Sequence, residues 1–159
     1  MKLFQSLLVM MFISLAFSCS QEDMEEVLVK EGSFKISELA GNWEATKAQY
    51  SVSSLSVDVV ENGGTVSMSV QTNGRFTLRV DPINRDAYTV SGEMFWEEWQ
   101  QTYRFAIRWD KLPEEYEVYA HTYDGGIFSL NGGEGSGEYD FDGDGDFEKC
   151  TVHFIFSRR

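Results

Sequence analysis

The sequence has few of the residues that most often carry chemistry. Its 159 residues include two histidines (His121 and His153), two cysteines (Cys19 and Cys150) and two prolines. There is no His-x-x-x-His or Cys-x-x-Cys pairing and no Gly-x-Ser-x-Gly elbow, so the common metal, thiol and serine-nucleophile signatures are missing. Basic residues are also scarce: 13 Lys and Arg stand against 26 Asp and Glu, a formal net charge of −13, and no Lys/Arg cluster reverses it locally. Such a field repels phosphates, which argues against a nucleic-acid partner. With 42% hydrophobic and 14% aromatic residues the chain can build a core, so global disorder is excluded despite the charge. The length suits one domain.

What is present begins with an export signal. Lys2 precedes an apolar run from Leu3 to Phe17, and small residues follow up to Cys19. The run is about 15 residues, short of the roughly 20 that a membrane-spanning helix needs. Ala16-Phe17-Ser18 before Cys19 resembles a lipobox of the looser kind found in Bacteroidetes lipoproteins. That resemblance implies cleavage before Cys19 and a lipid on its sulfur. Ser-Gln-Glu-Asp-Met-Glu-Glu after it resembles the acidic tag that sends such lipoproteins to the outer cell surface. Ordinary secretion is the competing reading, in which Cys19 is free to pair with Cys150. The resulting division is a signal peptide over 1–18, a lipidated acidic tether over 19–33 and one domain over 34–159. The implied location is the outer membrane, lipid-anchored, at the cell surface or on the periplasmic face.

Downstream of Gly41 the hydrophobic period is two. Leu55, Val57 and Val59 alternate with polar residues, as do Val66, Met68 and Val70, then Phe76, Leu78 and Val80. Residues opposite one another in a ladder share a face, and this tests the turns. A two-residue Asn62-Gly63 turn sets Val59 against Val66 and Leu55 against Val70, so a type I′ hairpin is expected there. At Thr72-Asn73-Gly74 a two-residue turn would set Val70 against Thr77. A three-residue loop with Gly74 left-handed instead aligns Val70 with Phe76, Met68 with Leu78 and Val66 with Val80. Further strands are expected at 42–50, 86–91, 93–100, 103–109, 115–123 and 126–131. A last strand places Cys150, Val152, Phe154 and Phe156 on one face. The fold class is therefore all-β: an antiparallel meander of eight to ten strands, closed as a barrel or stacked as a β-sandwich.

Residues 36–43, Ile-Ser-Glu-Leu-Ala-Gly-Asn-Trp, resemble the opening of a lipocalin-type barrel, with Gly41 and Trp43 in the Gly-x-Trp motif. The Asp-rich run followed by a final strand ending in Arg is similar to small lipocalin-like (calycin-type) lipoproteins of Bacteroidetes. The resemblance covers roughly residues 34–159. It implies a barrel closed at one end by Trp43, with Arg158 or Arg159 packed over the indole.

Three groups of residues are candidates for function. Phe95, Trp96, Trp99, Tyr103, Phe105, Trp109, Tyr116 and Tyr119 fall within 25 residues. In a hollow barrel Trp96, Trp99, Tyr103, Phe105, Trp109 and Tyr119 would line a site for a hydrophobic or ring-bearing ligand. In a filled barrel they are core. From Glu134 to Glu148 there are seven carboxylates and no basic residue, with Asp140, Asp142, Asp144 and Asp146 recurring every second position. Their order resembles the start of a calcium loop, or forms a solvated Asp/Gly turn. Glu97, Glu98, Glu114, Glu115 and Glu117 could supply an acid/base pair, but wet strand faces account for them. An enzyme would need one of these glutamates, His121 or His153 inside the barrel. Cys150 reads as a small core residue. The expectation is a non-enzymatic, lipid-anchored protein without an obligatory cofactor that binds a small hydrophobic ligand. The alternative is a surface interaction or inhibitor protein with a filled barrel.

Overall fold

The structure, a computed structural model, describes residues 32–159. The signal over 1–18, Cys19 and the tether up to residue 31 lie outside the described residues. A 3₁₀ turn at Ile36–Leu39 precedes ten strands: β1 (Gly41–Val52), β2 (Leu55–Asp58), β3 (Thr65–Val70), β4 (Arg75–Asp81), β5 (Tyr88–Trp99), β6 (Thr102–Trp109), β7 (Glu117–Tyr123), β8 (Ile127–Gly132), β9 (Gly137–Tyr139) and β10 (Glu148–Arg158). Going round, β1, β3, β4, β5, β6, β7, β8 and β10 pair with their neighbours, and β10 returns to pair with β1. The result is a closed eight-stranded antiparallel barrel, not a sandwich, with β2 and β9 as short additions. Closure leaves no long unpaired edge within the barrel.

The interior follows the period-two pattern. Val66, Met68, Val70, Phe76, Leu78 and Val80 are all buried, as are Cys150, Val152, Phe154 and Phe156. Each large side chain removed from water contributes about 1.5–3 kcal/mol before entropy is set against it. Between β3 and β4 the register is Val70 with Phe76, Met68 with Leu78 and Val66 with Val80. Gly74 has φ +84°, the left-handed residue that the three-residue loop requires.

The Asn62-Gly63 hairpin is a correction. β2 pairs with the far half of β1, Val52 opposite Leu55 and Tyr50 opposite Val57, while β3 pairs with the near half, Gly41 opposite Val70. The cause lies in β1, whose twelve residues slip register against β10 between Ala45 and Lys47. That bulge bends the strand so that two successive partners share its edge. The connection from β2 to β3 is a compact turn around Asp58, whose carboxylate accepts from the Ala48, Val60 and Glu61 amides. Two further expectations change. Residues 86–91 and 93–100 form one strand, β5, and the acidic segment contains β9 with Tyr139 buried.

Candidate functional site

The two ends of the barrel differ. At one end Trp43 is fully buried and its Nε1 donates to the Leu39 carbonyl at 2.8 Å. The Arg158 guanidinium lies 4.3 Å from the centre of the Trp43 ring, and Arg159 instead pairs with Glu44. Gly41, with φ +134°, lets the chain enter beneath Arg158: a Cβ there would come within 3.0 Å of its Nη1. Residues 32–35 cross this end, and Phe34 packs against Trp96, Phe105, His121, Tyr123 and Phe128 with ring centres 4.8–6.3 Å apart. Above this plug the interior is filled. The space between Met68, Phe76, Met94, Ile107, Tyr119, Leu130 and Phe156 amounts to only about 10 Å³.

The other end is open. A cavity of about 450 Å³ lies there, within the usual range of small-molecule sites. Its floor is Leu78, Trp109 and Phe154, which also bound the small void below. Its walls include Tyr50, Tyr88, Val90 and Val152 from inside the barrel. The β6–β7 loop contributes Lys111, Leu112, Glu115 and Tyr116 to the rim, and the β9–β10 region contributes Glu138, Phe147 and Lys149. Leu112, Tyr116 and Phe147 are large apolar or aromatic side chains exposed to solvent. Tyr139 stacks on Tyr50 at 4.6 Å, and Phe147 meets Tyr88 edge-on at 5.1 Å, so β9 and its loop overhang the entrance.

The lining combines apolar side chains with six charged ones, Asp110, Lys111, Glu115, Glu117, Glu138 and Lys149. The Tyr88 hydroxyl is shielded from solvent beside the Tyr50 phenol and meets no group of the described residues in good hydrogen-bond geometry. Burial, and then the neighbouring Tyr88, push the Tyr50 phenol well above its ordinary range, and burial does the same for Tyr88. Both therefore stay protonated and neutral. At the rim, Arg75 grips Asp110 with two bonds of 2.8 Å. The bonds from Arg75 and Ser91 hold the Asp110 carboxyl below the usual range. Lys111 is paired with Glu138. Glu117 occupies the first position of β7 on the inward face shared with Tyr119.

The structure scatters the aromatic group named from sequence. Trp109 alone of the six lines the open cavity. Tyr119 borders the small void, Phe105 is fully buried, and Trp96 packs under Phe34 with its Nε1 bonded to the Phe34 carbonyl. Trp99 is half exposed outside the barrel beneath Arg104, and Tyr103 is half-buried at the start of β6. The β5–β6 turn lies at the plugged end, which carries most of this cluster away from the mouth. Of adjacent Phe95 and Trp96, Phe95 faces out against Arg108 and Tyr116. His121 sits in the plug, and His153 pairs with Gln49 on the outward register of β10. The cavity residues without a counterpart among the sequence candidates are Tyr50 and Tyr88, whereas Glu115 and Glu117, named there as possible acids on wet strand faces, line the cavity. For Glu117 a signal existed: a carboxylate in the same alternation as Tyr119, His121 and Tyr123.

Carboxylate oxygens of Asp140, Asp142 and Asp144 lie within 4.8 Å of one another, and Asp146 is not part of that group. The turn is tied by its own backbone. Asp140 accepts from the Gly143 and Gly145 amides, and Arg85 donates to the Asp140 and Phe141 carbonyls. Desolvation raises the Asp140 pKa, but the two amides and Arg85 outweigh it and leave the carboxyl below the ordinary range. Cys150 is buried, and desolvation pushes its thiol up to about 11. Comparison of the chain with protein-family models, curated proteins and solved structures returned no match.

Proposed function

We propose that this chain is a lipid-anchored surface lipoprotein whose lipocalin-like barrel holds a small hydrophobic or aromatic molecule, without catalysing a reaction on it. The observation that carries the binding reading is the cavity of about 450 Å³, apolar at its floor, above an interior packed solid. A protein that needed only a stable exterior would gain by filling that space, since a void forfeits dispersion contacts. The anchor reading rests on Lys2, the apolar run and Cys19. Several acyl chains, at about 0.8 kcal/mol per buried methylene, would make the attachment lasting.

Binding is tested with 1-aminoanthracene on the chain carrying Cys19→Ser. Saturable probe fluorescence with quenching of Trp109 is expected, and Leu78→Trp, which fills the floor, abolishes it. A folded chain that excludes the probe would overturn the binding reading in favour of a surface interaction protein. The anchor is tested separately by palmitate labelling and globomycin sensitivity, and an unlabelled, freely soluble product would reject it.

A further inference from the structure

We propose that the cavity at the open end selects small ring-bearing molecules carrying a protonated amine and discriminates against those ending in a carboxylate. The inference rests on the mouth being a ligand site, and extends it from the balance of charge around the entrance. Two carboxylates line the cavity without a cationic partner among the described residues: Glu117, turned inward from β7, and Glu115 in the loop before it. The other acids of the lining are matched, Asp110 by Arg75 and Glu138 by Lys111. Against Glu115 and Glu117 stands one lining cation without an ion pair among the described residues, the exposed Lys149.

The surroundings add to the same sign. The overhanging turn that places Phe147 against Tyr88 carries Asp140, Asp142, Asp144, Asp146 and Glu148, with Arg85 as the cation bound to it. Apolar walls beneath such a rim concentrate its field on whatever enters. The Tyr50 and Tyr88 phenols stay protonated and add no charge of their own. The floor suits a ring, and the Trp109 indole offers a negative face to a nearby cation. A carboxylate-bearing molecule of the same size would face two carboxylates, Glu115 and Glu117, against Lys149's single positive charge.

The test uses the full chain carrying Cys19→Ser and three probes with one ring system: 1-naphthylmethylamine, 1-naphthylmethanol and 1-naphthylacetate, titrated by calorimetry at neutral pH. The amine is expected to bind at least about tenfold more tightly than the carboxylate, equivalent to about 1.4 kcal/mol, with the alcohol between them. Raising sodium chloride to about 0.5 M is expected to compress that ratio, and Glu115→Gln with Glu117→Gln to reduce it to about threefold or less. If the alcohol binds and the carboxylate binds as tightly as the amine, the charge preference is wrong while the cavity reading stands. If none of the three binds, the cavity reading itself fails. A folded double variant with an unchanged ratio removes Glu115 and Glu117 as its source. Should that variant fail to fold, the loop substitution Glu115→Gln and the salt series on the Cys19→Ser chain decide the matter.

Discussion

Arg158 covers Trp43 and at the same time ties down the backbone around it. With its central carbon 4.3 Å from the centre of the Trp43 ring, the guanidinium donates to the carbonyls of Ala40 at 2.7 Å, Glu38 at 2.6 Å and Gly125 at 3.0 Å. Those carbonyls belong to the 3₁₀ turn, its exit and the β7–β8 turn, so one side chain of the last strand fastens three segments over the plug. Arg158→Ala should therefore cost about 2 kcal/mol, combining lost charge-assisted hydrogen bonds with a lost cation–π contact. Arg158→Lys should recover less than half, because an ammonium cannot satisfy three carbonyls in a planar fork. Urea unfolding of both variants measures the difference.

The three-residue loop between β3 and β4 gives a second prediction. Gly74 has φ +84°, its carbonyl accepts from the Met94 amide at 2.9 Å, and a Cβ there would collide with the Met94 carbonyl oxygen. Gly74→Ala should destabilise the barrel by about 2 kcal/mol or more, because backbone strain and a steric clash add. Thermal unfolding followed by near-ultraviolet circular dichroism is the measurement.

Alkaline pH should unfold the protein. Burial raises Tyr50, Tyr88 and Tyr119 above the ordinary phenol range and Cys150 to about 11. A group whose folded pKa is raised stabilises fully below its unfolded pKa, and that contribution is lost as pH climbs through the folded value. Stability should thus fall once pH passes the ordinary thiol and phenol ranges. Absorbance at 295 nm should show a class of tyrosines that ionise only with unfolding. At pH ~8 a thiol with a pKa of about 11 is ionised roughly 100-fold less than an ordinary one. In the Cys19→Ser chain, Cys150 should accordingly react with a disulfide reagent only after denaturation.

The acidic turn should prove to be held mainly by its amides. Calorimetry with calcium should show no heat at micromolar concentrations, because the Asp140 carboxylate already serves Gly143 and Gly145. Asp140→Asn should lower the melting temperature more than Asp142→Asn or Asp144→Asn, whose partners are single amides within the turn. Heat at micromolar calcium, lost in all three variants, would establish a metal site.

The barrel was legible where alternation and turn length constrain each other. At Thr72–Gly74 only one loop length keeps Val70, Met68 and Val66 opposite apolar partners, and that register is the one present. At Asn62–Gly63 the same test misled. Leu55 and Val57 alternate correctly for any partner, and pairing with β1 was available because β1 is long and bulged. Leu55 is in fact 56% exposed, so its apolar character did not report a core position. The site was less legible than the fold. Period two says which residues point inward but not which end of the barrel is filled. That depends on Phe34 and Trp43 meeting Trp96, Phe105 and Phe128 across strands distant in sequence. The aromatic run therefore marked the plug, and only Trp109 reached the opening.

Leu78, Trp109 and Phe154 bound both the open cavity and the small void beneath it. They come from β4, β6 and β10, three strands that do not neighbour one another. Together they act as a depth stop: the reach of any guest is set by three side chains, while closure of the barrel is secured elsewhere by Trp43 and Arg158. Shortening one of the three should join the two spaces and admit a longer guest without opening the plugged end. The length of molecule accepted can thus drift, or be redesigned, independently of what keeps the barrel shut.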